Sequence, residues 1–283
     1  MDTMRRVAGW LKRFYRKSYE DNVTGLAGMV AYNMLLAVLP LALVALFVGG
    51  QILQSPNLER SVLDDLQRIF PSATESTLNT AVNRIQEGTG RIGIAALIAS
   101  IWIGASFWGA LDTAFCRIYH VRCRSWLEQK RFALAMLVVV LLFMAATVAV
   151  PTLQSILVSG AGKLPLGLAD VRGVVFGLTL TAGLGLIFVT LAIIYRTVPN
   201  EPVPWRAVWP GALLATLAIG IVDYAFPIYL SNVTTIARLG TTLVFVLIVL
   251  LWFYALALII LAGAVTNAIR FEDREGRERP VST

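Results

Sequence analysis

The apolar positions of this chain fall in six long stretches, separated by polar or charged segments. The stretches are, approximately, Val23–Leu53, Ile92–Phe115, Phe132–Val158, Val171–Tyr195, Ala207–Leu230 and Leu239–Ile269. A helix that crosses a bilayer needs about 20 mainly apolar residues, and every stretch is long enough. The pattern therefore predicts an all-α polytopic membrane protein, with a bundle of six transmembrane helices in residues 23–270.

The segment between the first two stretches, at about 55–90, also has regularly spaced apolar positions. Apolar residues recur at helical spacing in Asn57–Phe70, and a second stripe follows Pro71. This spacing predicts an external loop of two short amphipathic helices. The loop would either pack as a hairpin over the bundle or lie on the outer membrane surface as a lid.

Positive charges are distributed unequally between the two ends of the predicted bundle. Of the 24 Lys and Arg residues, 17 lie in the N-terminal segment, the second and fourth loops and the C-terminus. Loops rich in Lys and Arg remain in the cytoplasm. We therefore expect a basic cytoplasmic N-terminal segment at 1–22 and a cytoplasmic tail at 271–283, whose mixed charge and polar composition predict disorder.

Composition excludes several classes of protein. The chain has 283 residues, of which 57% are hydrophobic and 14% charged, whereas a soluble domain is roughly 45–50% apolar and about 25% charged. A soluble enzyme, a coiled coil and a disordered chain are therefore not expected. The net charge is +7, but the basic residues flank apolar stretches and form no separate basic domain, so nucleic acid is not an expected partner.

The sequence offers few groups for cofactor or metal binding. Cys116, His120 and Cys123 would share one face of a continuous helix, but zinc is usually held by four ligands and no fourth is apparent. Two cysteines do not make a disulfide framework. The phosphate-binding pattern GxxxxGK[ST] is absent from the sequence, so we expect neither a cofactor nor ATP hydrolysis by this chain.

Two acidic residues fall within predicted spans, where a charge is costly and often functional. Asp223 lies 18 residues after Trp205, at a depth of about 27 Å along a straight helix. It would couple a proton or cation to a function, contact a polar head group, or have a structural role, paired with Arg238 or with tyrosine and backbone partners. Asp112, near the cytoplasmic end of the second span, would either pair with Arg117 or a neighbouring loop, or act in a gate.

Other polar or helix-perturbing residues could line a central cavity with these acids. They are Tyr32, Asn33, Ser106 and Tyr224, with candidate helix breaks at Pro40 and Pro227. Each polar group could equally join neighbouring helices. Small residues at Gly173 and Gly177 have GxxxG spacing, which permits close helix packing within one chain or in an oligomer.

Four motifs in order resemble the YihY/BrkB family of six-span bacterial inner-membrane proteins. The motifs are Asp21-Asn22-Val23-Thr24-Gly25-Leu26-Ala27 with Ala31-Tyr32-Asn33-Met34-Leu35-Leu36 and Leu39-Pro40, Ile101-Trp102-Ile103-Gly104-Ala105-Ser106 with Ala110-Leu111 and Arg117-Ile118-Tyr119, Pro210-Gly211-Ala212, and Leu251-Trp252-Phe253-Tyr254 with Leu261-Ala262-Gly263-Ala264 and Asn267. The likeness covers about residues 15–270. Two positions depart from the family pattern. Val265 replaces its usual glutamate, and Arg238-Leu239-Gly240 replaces its Tyr-Gly turn.

The resemblance implies a bacterial inner-membrane location. Together with Asp223 and the proline-containing polar first and fifth spans, it favours a transporter-like role with a lipid, lipid-linked molecule or other amphipathic solute. A non-transporting envelope scaffold is the alternative, and an oligomer is compatible with either. The family has also carried a ribonuclease label. Nuclease metal sites need clustered His, Asp and Glu, and this chain has a single histidine, so we do not expect an enzyme.

Overall fold

The computed structural model describes residues 2–47, 91–161, 171–233 and 241–275, and these residues are organised as α-helices with short turns. The helices are α1 (Asp2–Glu20), α2 (Val23–Phe47), α3 (Arg91–Ile118), α4 (Trp126–Ala161), α5 (Val171–Thr197), α6 (Trp205–Val233) and α7 (Thr241–Glu275). No strand occurs in those ranges, so the all-α class is confirmed there.

Helices α2 to α7 coincide with the six apolar stretches of the sequence. By length and composition, three segments are suited to crossing a membrane among the described residues, namely Leu180–Thr197, Trp205–Asp223 and Leu247–Asp273. A helix satisfies its backbone hydrogen bonds internally, which is why apolar segments adopt this form in lipid. The predicted external loop at 55–90 lies outside the described residues.

Two candidate helix breaks lie inside helices, and one helix boundary differs from the expectations. Pro40 and Pro227 both lie inside continuous helices, so neither ends its helix. A proline removes one backbone hydrogen bond, and the loss is tolerated in apolar helices where other groups can satisfy the freed carbonyl. At the C-terminal end, α7 continues to Glu275, so the first five residues of the predicted disordered tail are helical.

The chain divides into two compact units. The first consists of Met1–Leu35, Phe107–Lys130 and Phe188–Thr283, and the second of Leu36–Ser106 and Arg131–Ile187. In the second unit, apolar side chains such as Leu134, Val138 and Leu142 are exposed, as expected for helix surfaces that face lipid. The contacts that follow all lie within the first unit.

The turn between α1 and α2 is built by Asn22. Its φ of 52° is in the left-handed region, which asparagine tolerates better than most residues. Its side-chain Oδ1 accepts a hydrogen bond from the backbone N–H of Gly25 at 3.3 Å, which caps the start of α2. A Cβ atom at Gly25 would lie 2.6 Å from Nδ2 of Asn22, so a larger residue at this position would collide with the capping side chain.

The start of α4 has a comparable cap. The backbone N–H of Ser125 donates to Oε2 of Glu128 at 2.8 Å, the reciprocal half of a capping box. This hydrogen bond lowers the pKa of Glu128. The two caps fix where the chain turns at one end of the first unit, and they place Asp21 and the α3–α4 loop beside each other.

Helices α6 and α7 pack closely through two glycines. The backbone N–H of Gly211 donates to Oδ1 of Asn267 at 2.8 Å. A Cβ atom at Gly211 would collide with the carbonyl oxygen of Gly263, and one at Gly263 would collide with the Tyr195 hydroxyl. That hydroxyl donates to the carbonyl of Ile260 at 2.8 Å. These contacts hold α5, α6 and α7 together.

Candidate functional site

Four ionisable side chains meet at one end of the first unit. Lys17 lies in the last turn of α1, Asp21 lies in the turn that follows, His120 follows α3, and Glu272 lies near the end of α7. We call them the Lys17 cluster. Lys17 Nζ is 2.5 Å from Glu272 Oε1 and 3.3 Å from Asp21 Oδ2. The cluster therefore ties the first described helix to the last one.

His120 completes the cluster because its backbone turns sharply after α3. Its φ is 54°, and this conformation brings the imidazole between two carboxylates. Nε2 lies 2.8 Å from Asp21 Oδ1, and Nδ1 lies 3.2 Å from Glu272 Oε1. Both ring nitrogens thus face an acceptor.

This geometry favours the charged form of the histidine. A neutral imidazole has one N–H donor, whereas the imidazolium has two. The hydrogen bond to Asp21, followed by that to Glu272, raises the pKa of His120 above its ordinary value. With His120 protonated, the two cations and two carboxylates balance, and the cluster has no net charge.

Burial makes this balance important. Lys17 and Asp21 are only 8% and 5% exposed, so their charges are largely removed from water. A buried ion pair that loses one partner is strongly destabilised, by about 3–5 kcal/mol. A more exposed pair between Arg13 Nη2 and Asp273 Oδ1 at 2.5 Å adds a second link between α1 and α7.

Beside this cluster, Arg124 binds the C-terminal end of α5. Its guanidinium donates to the carbonyl of Val198 at 2.5 Å and to that of Thr197 at 3.1 Å. Carbonyl groups at a helix C-terminus carry partial negative charge, so a cation there is favourable. Arg124 also pairs with Asp112, which is 1% exposed.

Asp112 has a second partner, Gln129, whose Nε2 lies 3.4 Å from Asp112 Oδ2. The same amide donates to the carbonyl of Gly109 at 3.1 Å. Asp112 therefore joins α3, the α3–α4 loop and α4. The sequence left open a pair with Arg117 or with a neighbouring loop, and the structure pairs Asp112 with a loop arginine.

The two cysteines form a disulfide, which the sequence did not predict. Cys116 and Cys123 are paired with their Cα atoms 5.2 Å apart. The expected shared helical face does not exist, because α3 ends at Ile118 and the chain turns at His120. Among the described residues no group of three or more His, Cys, Asp or Glu side chains is arranged to hold a metal ion.

Asp223 is far from this end of the molecule. Helix α6 runs without interruption from Trp205 to beyond Asp223, which gives an axial distance of about 27 Å. Its side chain is exposed, and it has no hydrogen bond or ion pair with the residues that the structure describes. Asp112 is paired with Arg124, which binds the carbonyl of Val198. Val198 precedes the first residue of α6, whereas Asp223 lies about 27 Å along that helix. The two acidic residues therefore do not share one site.

The structure describes the side chains of three other predicted cavity residues. Tyr32 is exposed, and Asn33 donates to the carbonyl of Met29 in its own helix at 2.9 Å. Ser106 is half-buried, with no described hydrogen-bond partner for its hydroxyl. The side chain of Tyr224 and all of Arg238 lie outside the described residues.

Sequence reasoning missed most of the residues that meet here. Lys17 and Glu272 are 255 residues apart, and His120 and Asp21 are 99 apart, so no local pattern connects them. A usable signal was present in the first family-like motif, where Asp21, Asn22 and Gly25 stand together. Asp21 pairs with Lys17 and His120, and Asn22 and Gly25 form the cap at the start of α2.

The chain is similar to known membrane proteins over nearly its whole length. It is 27% identical over 264 residues to a UPF0761 membrane protein of Xanthomonas campestris pv. campestris (strain B100), which covers 92% of this chain and 60% of the relative. A UPF0761 membrane protein of Xanthomonas oryzae pv. oryzae (strain PXO99A) is 26% identical with the same coverage. The chain thus spans about three-fifths of the length of these curated relatives.

No solved structure matches this chain. The family model described as virulence factor BrkB matches residues 14–282. That range includes every residue of the Lys17 cluster and of the α6–α7 contact. The chain therefore belongs to the BrkB family of membrane proteins.

Proposed function

We propose that this chain is a six-span inner-membrane protein with both termini in the cytoplasm, and that it has a transporter-like function. Its substrate would be a lipid, a lipid-linked molecule or another amphipathic solute. The proposal assigns no catalytic reaction to the chain. Since the sequence has no P-loop, movement of the solute would be passive, driven by a gradient, or powered by a partner.

Asp223 is the observation that carries the proposal. It lies at the end of the apolar segment Trp205–Asp223, and its carboxylate is exposed on the helix surface without a described partner. An ionisable residue within a membrane-spanning helix is expensive and commonly marks a pathway for ions or substrate. A polar head group or a coupling cation would satisfy this carboxylate.

The Lys17 cluster supports the same orientation from the opposite end. It combines the basic end of α1 with the α3–α4 loop and the end of α7, all of which belong to the Lys- and Arg-rich side of the sequence. Such a side is expected to face the cytoplasm. With α6 crossing the bilayer from that side, Asp223 would lie near the outer leaflet.

Native mass spectrometry in mild detergent, comparing the unmodified protein with Asp223→Asn, tests the proposal. We expect a selectively retained lipid or lipid-linked molecule in the unmodified protein, and its loss in an Asp223→Asn protein that remains folded. A ligand found in this way would then be tested for movement across liposome membranes.

Two matched variants separate charge from general disturbance of α6. Asp223→Glu keeps the carboxylate and should retain the ligand. Ile221→Asn adds an amide two residues earlier, at another exposed position, and should also retain it. Absence of a selective ligand, together with a co-purifying protein or a stable oligomer, would instead favour the envelope scaffold.

A further inference from the structure

Helix α1 carries an apolar stripe that the rest of the described protein does not cover. Val7, Leu11, Tyr15 and Tyr19 recur at every fourth position and are 57–79% exposed. At 100° per residue, side chains spaced by four positions lie along one side of a helix. Two of the four are tyrosines, whose rings combine an apolar body with a polar hydroxyl.

A row of exposed cations borders this stripe. Arg5, Lys12 and Arg16 are exposed, and the helical period places them next to one edge of the stripe. A different side of α1 holds Arg13 and Lys17, which bind Asp273 and Glu272 of α7. The helix therefore has one side fastened to the protein, one basic side and one uncovered apolar side.

The position of α1 identifies what covers the stripe. Through the turn at Asp21 and Asn22 it leads directly into the apolar helix α2 at Val23, so α1 lies where the chain meets the membrane boundary. A helix with an apolar, aromatic face beside basic residues lies in the plane of the membrane interface. Lysine and arginine beside such a face are attracted to anionic head groups.

We propose that α1 is an interfacial helix that binds the surface of an anionic lipid leaflet. The stripe enters the boundary between head groups and acyl chains, while Arg5, Lys12 and Arg16 bind lipid phosphates. A second copy of α1 is a poorer occupant, because packing two stripes together would bring two rows of cations close to each other. The inference requires only that the chain is embedded in a bilayer, and it does not depend on transport.

Spin-label accessibility in nanodiscs tests this inference with the full chain. A label is placed at Tyr15→Cys or at Arg16→Cys, in a background carrying Cys116→Ser and Cys123→Ser, in nanodiscs of phosphatidylcholine containing phosphatidylglycerol. We expect the label at position 15 to be accessible to oxygen and shielded from a nickel chelate, at a depth of about 5–10 Å. The label at position 16 should remain accessible to the nickel chelate.

The charge requirement is tested by binding of labelled phosphatidylglycerol to the full chain. Lys12→Glu combined with Arg16→Glu should weaken its enrichment around the protein, by roughly fivefold for each positive charge that is removed. Lys12→Arg combined with Arg16→Lys keeps both charges and should preserve the enrichment.

Two results would overturn the inference. One is a label at position 15 that stays accessible to the nickel chelate in anionic nanodiscs. The other is shielding at position 15 accompanied by short spin–spin distances between two protein copies, which would assign the stripe to a dimer contact.

Discussion

Oδ1 of Asn267 in α7 accepts a hydrogen bond from the backbone N–H of Gly211 in α6 at 2.8 Å. The contact is buried, and Gly263 lies one helical turn earlier on α7, directly against Gly211. The residues belong to two of the motifs that resemble the family, which are far apart in sequence. The motifs therefore describe two surfaces of a single helix–helix contact.

Gly211→Ala should destabilise the protein through this contact. The added methyl group would collide with the backbone carbonyl of Gly263, which cannot move as a side chain can. Overpacking of this kind costs typically about 1–3 kcal/mol. We expect a lower thermal unfolding midpoint in detergent than for the unmodified protein.

Gly185→Ala is the matched control, since a Cβ atom there meets nothing within 4 Å. Alanine is favoured over glycine in helix interiors by roughly 0.5–1 kcal/mol, so this variant should be as stable as the unmodified protein or slightly more so. Equal midpoints for the two variants would show that the α6–α7 contact is less tight than described.

Lys17→Met should weaken the attachment of α1 to α7. The substitution keeps the length of the side chain but removes one of the two cations that Asp21 and Glu272 share, and it leaves His120 as the other. We expect destabilisation of about 3 kcal/mol, the lower end of the range for a broken buried ion pair. Thermal unfolding in a neutral detergent measures it.

Lys12→Met, the same substitution at an exposed position of α1, should cost a few tenths of a kcal/mol at most, because exposed charges contribute little. Combining Lys17→Met with Glu272→Gln removes one of the two stranded carboxylates and should recover part of the loss. If Lys17→Met unfolds at the same temperature as Lys12→Met, the cluster does not stabilise the fold.

Stability should also depend on pH through His120. Its pKa in the folded protein is raised by Asp21 and Glu272, so the histidine's contribution is complete below its ordinary pKa of about 6.5. The contribution is lost as the pH rises through the raised folded value. Burial of the imidazole, followed by the positive charge of Lys17, opposes this increase in the pKa of His120.

We therefore expect the unfolding midpoint of the unmodified protein to decrease as the pH rises above about 6.5. His120→Gln removes the titrating group, and its midpoint should decrease less over the same range. Scans at a single heating rate make the comparison, since membrane proteins often unfold irreversibly. Parallel curves for the two proteins would exclude His120 as the source of the pH dependence.

The disulfide predicts a specific labelling pattern. In the purified protein a maleimide reagent should add to neither cysteine before reduction, because the two are paired. After reduction under native conditions, one reagent should add at exposed Cys123, whereas Cys116 is buried. Two should add after denaturation.

Cys123→Ser is the control for this assignment, and it should leave a thiol that reacts only after denaturation. One addition at Cys123 before any reduction would show that the two thiols are free. Disulfides are rare in reducing cytosol, so the redox state of this pair in intact cells also reports which compartment the α3–α4 loop faces.

Hydropathy was sufficient to predict the apolar helices α2 to α7, because an apolar segment in lipid must satisfy its own backbone and a helix does so locally. Helix α1 was expected only as a basic segment. The packing between helices was harder to predict from the sequence. The GxxxG residue Gly177 has open space around it, whereas Gly211 and Gly263, on different helices, make the close contact. Small-residue spacing within one helix does not reveal which partner approaches it.

The candidate site was harder to predict for a related reason. The sequence identified Asp112 as a charge within a predicted span. It also predicted that the partner would be Arg117 or a residue of a neighbouring loop, because these positions are close to Asp112 in the sequence. Lys17, His120 and Glu272 become one cluster only when the ends of three helices meet. No periodicity or charge pattern in the sequence predicts this tertiary contact, since each residue alone resembles an ordinary polar residue near a helix end.

The Lys17–Glu272 ion pair also sets an order of events during biosynthesis. Lys17 leaves the ribosome 255 residues before its partner, and synthesis at about 5–20 residues per second makes that interval roughly 10–50 s. During that interval Arg13 and Lys17 of α1 lack their partners in α7, while the intervening helices enter the membrane. Helix α1 is therefore fastened to α7 only after all the helices between them have been synthesised.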